Sequence, residues 1–221
     1  MITAMHKLFV GACIFAMLAP FAASAQQLRI TAGSETHLDD PTTYRAYYGK
    51  LDGEPHIYTF STEADTPVKF VLLVPDVPDA KTDISATLID AAHPESLFLT
   101  ADGALVEWQR FFDTAGRDSY LAGPTIDATI PAGTYRIQVS SSADDAQYVL
   151  IVSGEESFSI VETLRRFATL PEIKSAFFGK SGAEAYLTPL LLWPVFGILI
   201  VLGLIVFAFI VYRRRTASPF V

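Results

Sequence analysis

Ile130-Pro131-Ala132-Gly133-Thr134-Tyr135-Arg136-Ile137-Gln138-Val139, followed by Tyr148-Val149-Leu150-Ile151-Val152, is the stretch that settles the fold class. Tyr135, Ile137 and Val139 alternate with Arg136 and Gln138, and a period of two puts the two sets on opposite faces of a strand. Pro131 presets the backbone before the turn, and Gly133 supplies a permissive φ. Similar β-branched and aromatic runs fill residues 43–48, 56–60, 84–89 and 126–130, separated by Gly, Pro and Asp clusters. Residues 68–74 are apolar enough to be buried on both faces. Asp52-Gly53 predicts a hairpin between 43–48 and 56–60, with a loop longer than two residues. Residues 104–113 and 120–121 supply further strands, and 75–79 form a loop. Short strands with no helix between them predict a mainly β fold, an antiparallel jelly-roll-like β-sandwich.

The apolar-Pro-Ala-Gly-Thr-Tyr turn at 130–135 and the Tyr-x-Leu-x-Val strand at 148–152 resemble the bacterial pre-peptidase C-terminal (PPC) domain and its jelly-roll-like relatives. Glu54-Pro55-His56-Ile57-Tyr58-Thr59-Phe60 is similar to that family's opening hairpin, and 84–90 to its middle strand. Ala91-Ala92-His93-Pro94 stands where the family carries a Gly-rich turn. The resemblance covers about half of the chain and implies a fold far more than a function.

The two ends of the chain set its topology. His6 and Lys7, an apolar run over 8–21 and Ala23-Ser24-Ala25 have the order of a secretory signal peptide over 1–25, cleaved after Ala25. An uncleaved anchor is the lesser alternative. Cys13 lies inside the apolar run, not at its end where lipidation requires it. At the other end no charged residue occurs between Glu184 and Arg213, and 187–212 read as a transmembrane helix. Tyr186 and Trp193 mark one interface and Tyr212 the other; Arg213, Arg214 and Arg215 then favour the cytoplasmic side for the tail 213–221. The expected protein is single-pass in a bacterial inner membrane, with its N-terminal domain (26–154) outside the cytoplasm. A cleaved sorting tail would have a similar form, but neither Leu-Pro-x-Thr-Gly nor Pro-Glu-Pro precedes the helix.

Residues 26–186 hold all 24 acidic residues and 12 of the 16 basic ones, a balance of −12. Scattered lysines and arginines on an acidic domain argue against nucleic acid. The lone Cys13 leaves with the signal peptide, so stability must come from a core rather than a disulfide. The chain contains no Asn and hence no N-glycosylation acceptor.

Catalysis needs converging groups, and His37, His56 and His93 stand singly, without a metal-spaced pair or a nucleophile motif. Gly179-Lys180-Ser181 mimics the end of a phosphate loop, but Lys174 occupies the place of its first Gly, so no nucleotide is expected. Calcium at Asp76, Asp79 and Asp83 is the candidate metal, against the preferred reading of solvated acidic loops. Trp108, Phe111, Phe112 and Tyr120 suggest either a groove or, by preference, core aromatics.

Residues 155–186 change to helical spacing. Ser159 and Glu162 form a capping box, Ile160, Leu164 and Phe167 make a stripe that excludes Arg165 and Arg166, Pro171 begins a second helix and Gly179 ends it. Ile160, Leu164, Phe167, Ile173, Phe177 and Phe178 are therefore candidates for a partner-binding stalk, against the plainer alternative of docking on the sandwich or on lipid. The expected function is a membrane-anchored extracytoplasmic binding or interaction module, without cofactor, as an accessory subunit of an envelope complex that meets a protein or glycan. The alternative is an envelope glycan hydrolase whose carboxylates, among Glu107, Asp113 and Asp118, converge only in the fold.

Overall fold

The structure, a computed structural model, describes residues 27–93, 97–143, 145–154 and 160–216. The signal-peptide reading, the Ser159 cap and the end of the C-terminal tail lie outside them. Among the described residues eleven strands run in chain order as β1 Gln27–Ile30, β2 Glu35–His37, β3 Arg45–Lys50, β4 His56–Thr62, β5 Thr66–Pro75, β6 Ile84–Asp90, β7 Leu97–Ala101, β8 Gln109–Asp113, β9 Asp118–Ile130, β10 Gly133–Ser141 and β11 Gln147–Ser153. They form a six-stranded sheet, β1-β3-β11-β5-β9-β8, packed on a five-stranded sheet, β2-β4-β10-β6-β7. The sandwich is mainly β, as expected.

Two features depart from an all-antiparallel sandwich. β1 pairs with β3, and β2 with β4, in parallel. Both lie before residue 42, where the sequence gives three or four residues per strand and little pattern to read. The expected hairpin at Asp52-Gly53 is instead a crossing between sheets, since β3 belongs to one and β4 to the other. β9 joins the two short runs expected at 120–121 and 126–130 into one strand. A register shift opposite Val71 and Leu73 absorbs Gly123 and Pro124, whose lack of an N–H is tolerated at a bulge. Gly123 is needed for a second reason: a Cβ there would lie 2.4 Å from the Trp108 ring. β7 carries no signal that the sequence reading recognised.

Alternation of inward side chains builds the core between the sheets. Tyr47, Phe70, Leu72, Tyr148 and Leu150 from one sheet meet Tyr58, Phe60, Leu88, Ile137 and Val139 from the other. Tyr135 turns its hydroxyl back to the Pro131 carbonyl at 3.0 Å, which closes the turn that opens β10. A buried polar chain crosses the core, in which Thr31 bonds Tyr58, Tyr58 bonds Tyr148 at 2.7 Å and Tyr148 bonds His56 Nδ1 at 2.8 Å. Burial lowers the His56 pKa and pushes the Tyr58 hydroxyl up to about 12, so both groups are neutral partners in this chain.

A third layer covers the outer face of the six-stranded sheet. Helix α1, Ile160–Phe178, lays Leu170, Ile173, Phe177 and Phe178 on Tyr48, Leu73, Tyr120, Val149 and Ile151. Pro171 sits inside this one helix rather than opening a second, a correction to the two-helix reading. Gly179 does end it, at φ +62°, and the Lys180 N–H returns to the Lys174 carbonyl at 2.9 Å. Arg166, off the Ile160, Leu164 and Phe167 stripe as expected, is nevertheless buried, on the row of Leu170, Ile173 and Lys174 that faces the sheet. A 3-10 turn, Gly182–Leu187, then leads to helix α2, Pro189–Thr216.

Each large apolar side chain that α1 buries contributes about 2 kcal/mol. A fragment ending at residue 154 should therefore expose the Tyr48, Val149 and Ile151 face and bind a hydrophobic dye or precipitate, whereas a fragment ending at 187 stays soluble. Equal solubility and equal melting temperatures of the two by circular dichroism would contradict the three-layer account.

Candidate functional site

The turn joining β8 and β9 is where the six-stranded sheet meets α1 and the start of α2. Asp113 accepts hydrogen bonds from the backbone N–H groups of Ala115 and Gly116, both at 3.0 Å, and Arg117 takes a positive φ of 59°. The next residue, Asp118, is buried. Lys174, one turn from the helix end and itself buried, donates to Asp118 Oδ2 at 2.6 Å and to the Gly116 carbonyl at 2.5 Å. Lys180, just past the helix, donates to Asp118 Oδ1 at 2.8 Å and to the Arg117 carbonyl at 3.3 Å. The Leu190 N–H, in the first turn of α2, reaches the Ala115 carbonyl at 3.4 Å. One hairpin tip thus holds α1, the segment after it and the start of α2.

Aromatic contacts surround this latch. Phe177 stands edge-on to Tyr48 and Phe178 edge-on to Tyr120, with centroids 5.3 and 5.2 Å apart, and the two tyrosine hydroxyls bond each other at 2.7 Å. Burial raises the pKa of both phenols. At the other end of α1, Arg29 of β1 makes a two-pronged contact with Glu162 at 2.7 and 2.9 Å. Burial alone would raise the Glu162 pKa, but the Arg29 hydrogen bonds and charge outweigh it and hold the carboxyl below its ordinary range. Glu162, read as a cap partner, serves here as a tie between helix and sheet.

Beside the C-terminal end of α1 opens a half-enclosed cleft of 390 Å³. Val74, Val77 and Phe178 line its apolar part, and Lys50, Lys81, Asp79, Asp145, Gln147 and Ser175 contribute polar groups of both signs. Gln147 is fixed by a 3.1 Å bond from Nε2 to the Ala176 carbonyl. This volume and mixed lining suit a small polar ligand or a single projecting side chain of a partner.

The site residues expected from sequence are dispersed. Asp76 pairs with Arg110 at 2.6 Å, Asp83 accepts from Ser141 and Ser142, and Asp79 lines the cleft, so the three calcium candidates do not meet. Among the described residues no group of three or more His, Cys, Asp or Glu is placed to hold a metal ion. His37 bonds Thr59, His56 bonds Tyr148 and His93 bonds Asp90. Glu107 is exposed, whereas Asp113 and Asp118 are spent on the turn and the lysines. Trp108 packs against the core and Tyr120 is buried, as core aromatics do; Phe111 and Phe112 are exposed on the edge strand β8, with Phe111 stacked on Tyr120.

Of the stalk candidates, Ile173, Phe177 and Phe178 are buried against their own domain rather than presented along a stalk, and only the edges of Phe177 and Phe178 reach the wall of the cleft. Leu164 is 63% exposed and Phe167 half-buried; the side chain of Ile160 lies outside the description. Trp193 and Tyr212 are exposed on α2, Arg213 sits over the Phe209 ring, and Arg214 and Arg215 continue the helix. The latch itself was missed from sequence. Its signal was Lys174 in register with Leu170, Ile173, Phe177 and Phe178, a charge on an apolar stripe.

No model of a known protein family matches the chain, and no curated protein matches it. Among solved structures it is similar to the pre-peptidase C-terminal domain of a collagenase from Bacillus anthracis, at 12% identity and a TM-score of 0.34, covering 57% of this chain and 93% of that one. It is also similar to PliG of Aeromonas hydrophila, a periplasmic inhibitor of g-type lysozyme, at 11% identity and a TM-score of 0.33, covering 57% and 96%.

Asp118→Asn leaves Lys174 buried without its counter-charge and should destabilise the domain by about 3 kcal/mol or more. Lys174→Met removes the buried charge itself and leaves Asp118 its bond to Lys180, so it should cost much less. Denaturant melts of the two variants in detergent check the order. A neutral Asp118→Asn, or a costlier Lys174→Met, would contradict the latch.

Proposed function

We propose that this chain is a single-pass envelope protein whose sandwich is a binding module, carried outside the cytoplasm at a fixed attitude to the membrane. The observation that carries the proposal is the latch, because among the described residues it ties the segment before the anchor directly to the sandwich. Residues 160–178 dock along the sheet, Lys180 and Leu190 bond the β8–β9 turn, and Ala185, Leu190 and Leu191 are buried in the same cluster as α1. Helix α2 has over Pro189–Arg213 the length and mean hydropathy, 3.0, to cross a membrane, and it is almost wholly unburied. That favours an anchor over a core helix. Arg213, Arg214 and Arg215 at its end support a cytoplasmic C-terminus.

A module clamped in this way suits an accessory subunit of an envelope complex, which must meet its partner at a set height and orientation. The cleft beside Lys81 and Gln147 is the contact site we assign, with a protein segment or a glycan as the occupant. Its polar groups of both signs favour hydrogen-bonding partners over an apolar ligand.

Two measurements test this reading in cells. A reporter active only in the cytoplasm should work when fused after Val221 and fail when fused after Gly154. A photo-crosslinking amino acid at Lys81 should give a discrete adduct that the same group at Glu63, exposed on the β4–β5 turn, does not give. Reversed reporter activity would overturn the orientation, and identical patterns at the two positions would overturn the cleft as the contact site.

A further inference from the structure

Helix α1 has a second apolar face, turned away from the sheet. Val161 and Leu164 are each 63% exposed, Ala168 is exposed, and Phe167 is half-buried. With Val195, Ile198 and Leu199 of α2, Leu164 and Phe167 line an open cleft of 360 Å³ whose walls expose no polar surface. Water gains nothing in such a space, and the sandwich does not reach it.

The depth of that cleft follows from α2 itself. A hydrocarbon core about 30 Å thick takes about 20 helical residues. Counted back from Tyr212, just before Arg213, 20 residues or so reach Trp193, and both aromatic rings are exposed where interfacial rings belong. Leu199 is then roughly 9 Å below Trp193 along the helix at 1.5 Å per residue. Leu164, sharing a cleft with Ile198 and Leu199, lies at that depth and not in the aqueous phase. The exposed side of α1 changes along its length in the matching sense. Val161, Leu164 and Ala168 occupy the half near the α2 cleft, and Glu172 and Ser175 the half towards the latch. Arg165, on the flank, is drawn back to Glu162 at 3.0 Å.

We infer that the N-terminal half of α1 is embedded in the outer leaflet, with lipid acyl chains filling the cleft between Leu164, Phe167, Val195, Ile198 and Leu199. The helix is then an interfacial layer: one face holds the six-stranded sheet and the other lies in the bilayer, at the depth of about 5–10 Å usual for amphipathic helices. The outer face of the five-stranded sheet is left pointing away from the membrane.

The inference rests on α2 crossing the bilayer, and the experiment separates the two. In full-length protein carrying Cys13→Ser, reconstituted in nanodiscs of phosphatidylcholine and phosphatidylglycerol, a nitroxide is placed at Leu164→Cys, Val161→Cys, Ile205→Cys or Ala64→Cys. Collision with oxygen, which partitions into lipid, is compared with collision with a water-soluble nickel chelate. Ile205→Cys reports lipid if α2 spans, and Ala64→Cys reports water. Leu164→Cys and Val161→Cys should both favour oxygen, by several-fold over Ala64→Cys. Nickel access at the two α1 positions with lipid access at Ile205→Cys would overturn the embedded helix alone. Low collision with both reagents would show a protein covering the face and would equally overturn it. Nickel access at Ile205→Cys would remove the membrane anchor and the inference together.

Discussion

A single buried carboxylate, Asp118, fixes where the helical layer sits on the six-stranded sheet. It faces Lys174 from α1 and Lys180 from the segment that follows, and the turn beside it accepts bonds from both lysines and from the first turn of α2. A buried ion pair is seldom a strong source of net stability, since desolvation offsets most of its attraction. Its effect is on specificity: one placement of the helix satisfies the lysines, and any sliding leaves a charge buried alone. The apolar contacts of Ile173, Phe177 and Phe178 supply the attraction, and the Asp118 cluster supplies the register.

The sandwich was legible in the sequence wherever one strand face meets water. β4, β6 and β10 alternate because the outer face of their sheet is solvated, and the period of two shows directly. β11 is different. Tyr148, Leu150 and Val152 fill the inner core while Val149 and Ile151 lie under α1, so the strand is buried on both sides. Its unbroken apolar run was the mark of a third layer, but a run of five residues reads equally as a core strand between two sheets. β1 and β2 were illegible for another reason: they are short edge strands placed by parallel pairing, which local pattern does not encode.

The helical neck shows the same limit. Ile160, Leu164 and Phe167 do recur at helical spacing, but a second stripe, Arg166, Leu170, Ile173, Lys174, Phe177 and Phe178, winds beside it and is the one the sheet buries. Two apolar faces on one helix cannot be ranked by periodicity alone. Two charges on the deeper stripe disguised it further. Prolines favour first turns, so Pro171 reads as a helix start, yet tertiary packing on both sides carries the helix through it. The cleft beside Lys81 was beyond sequence reading, since β3, β5, β11 and α1 contribute to it from distant parts of the chain.

With the latch closed, sandwich and α2 should move as one rigid body. A pair of spin labels, one at Ala64→Cys on the β4–β5 turn and one at Tyr212→Cys near the far end of α2, measures it directly by pulsed dipolar spectroscopy in nanodiscs. A latched molecule gives a single narrow distance distribution, no wider than the labels' own linkers impose. A broad or multimodal distribution in the otherwise native protein, with the domain still folded by circular dichroism, would show a sandwich swinging on a tether and would contradict it.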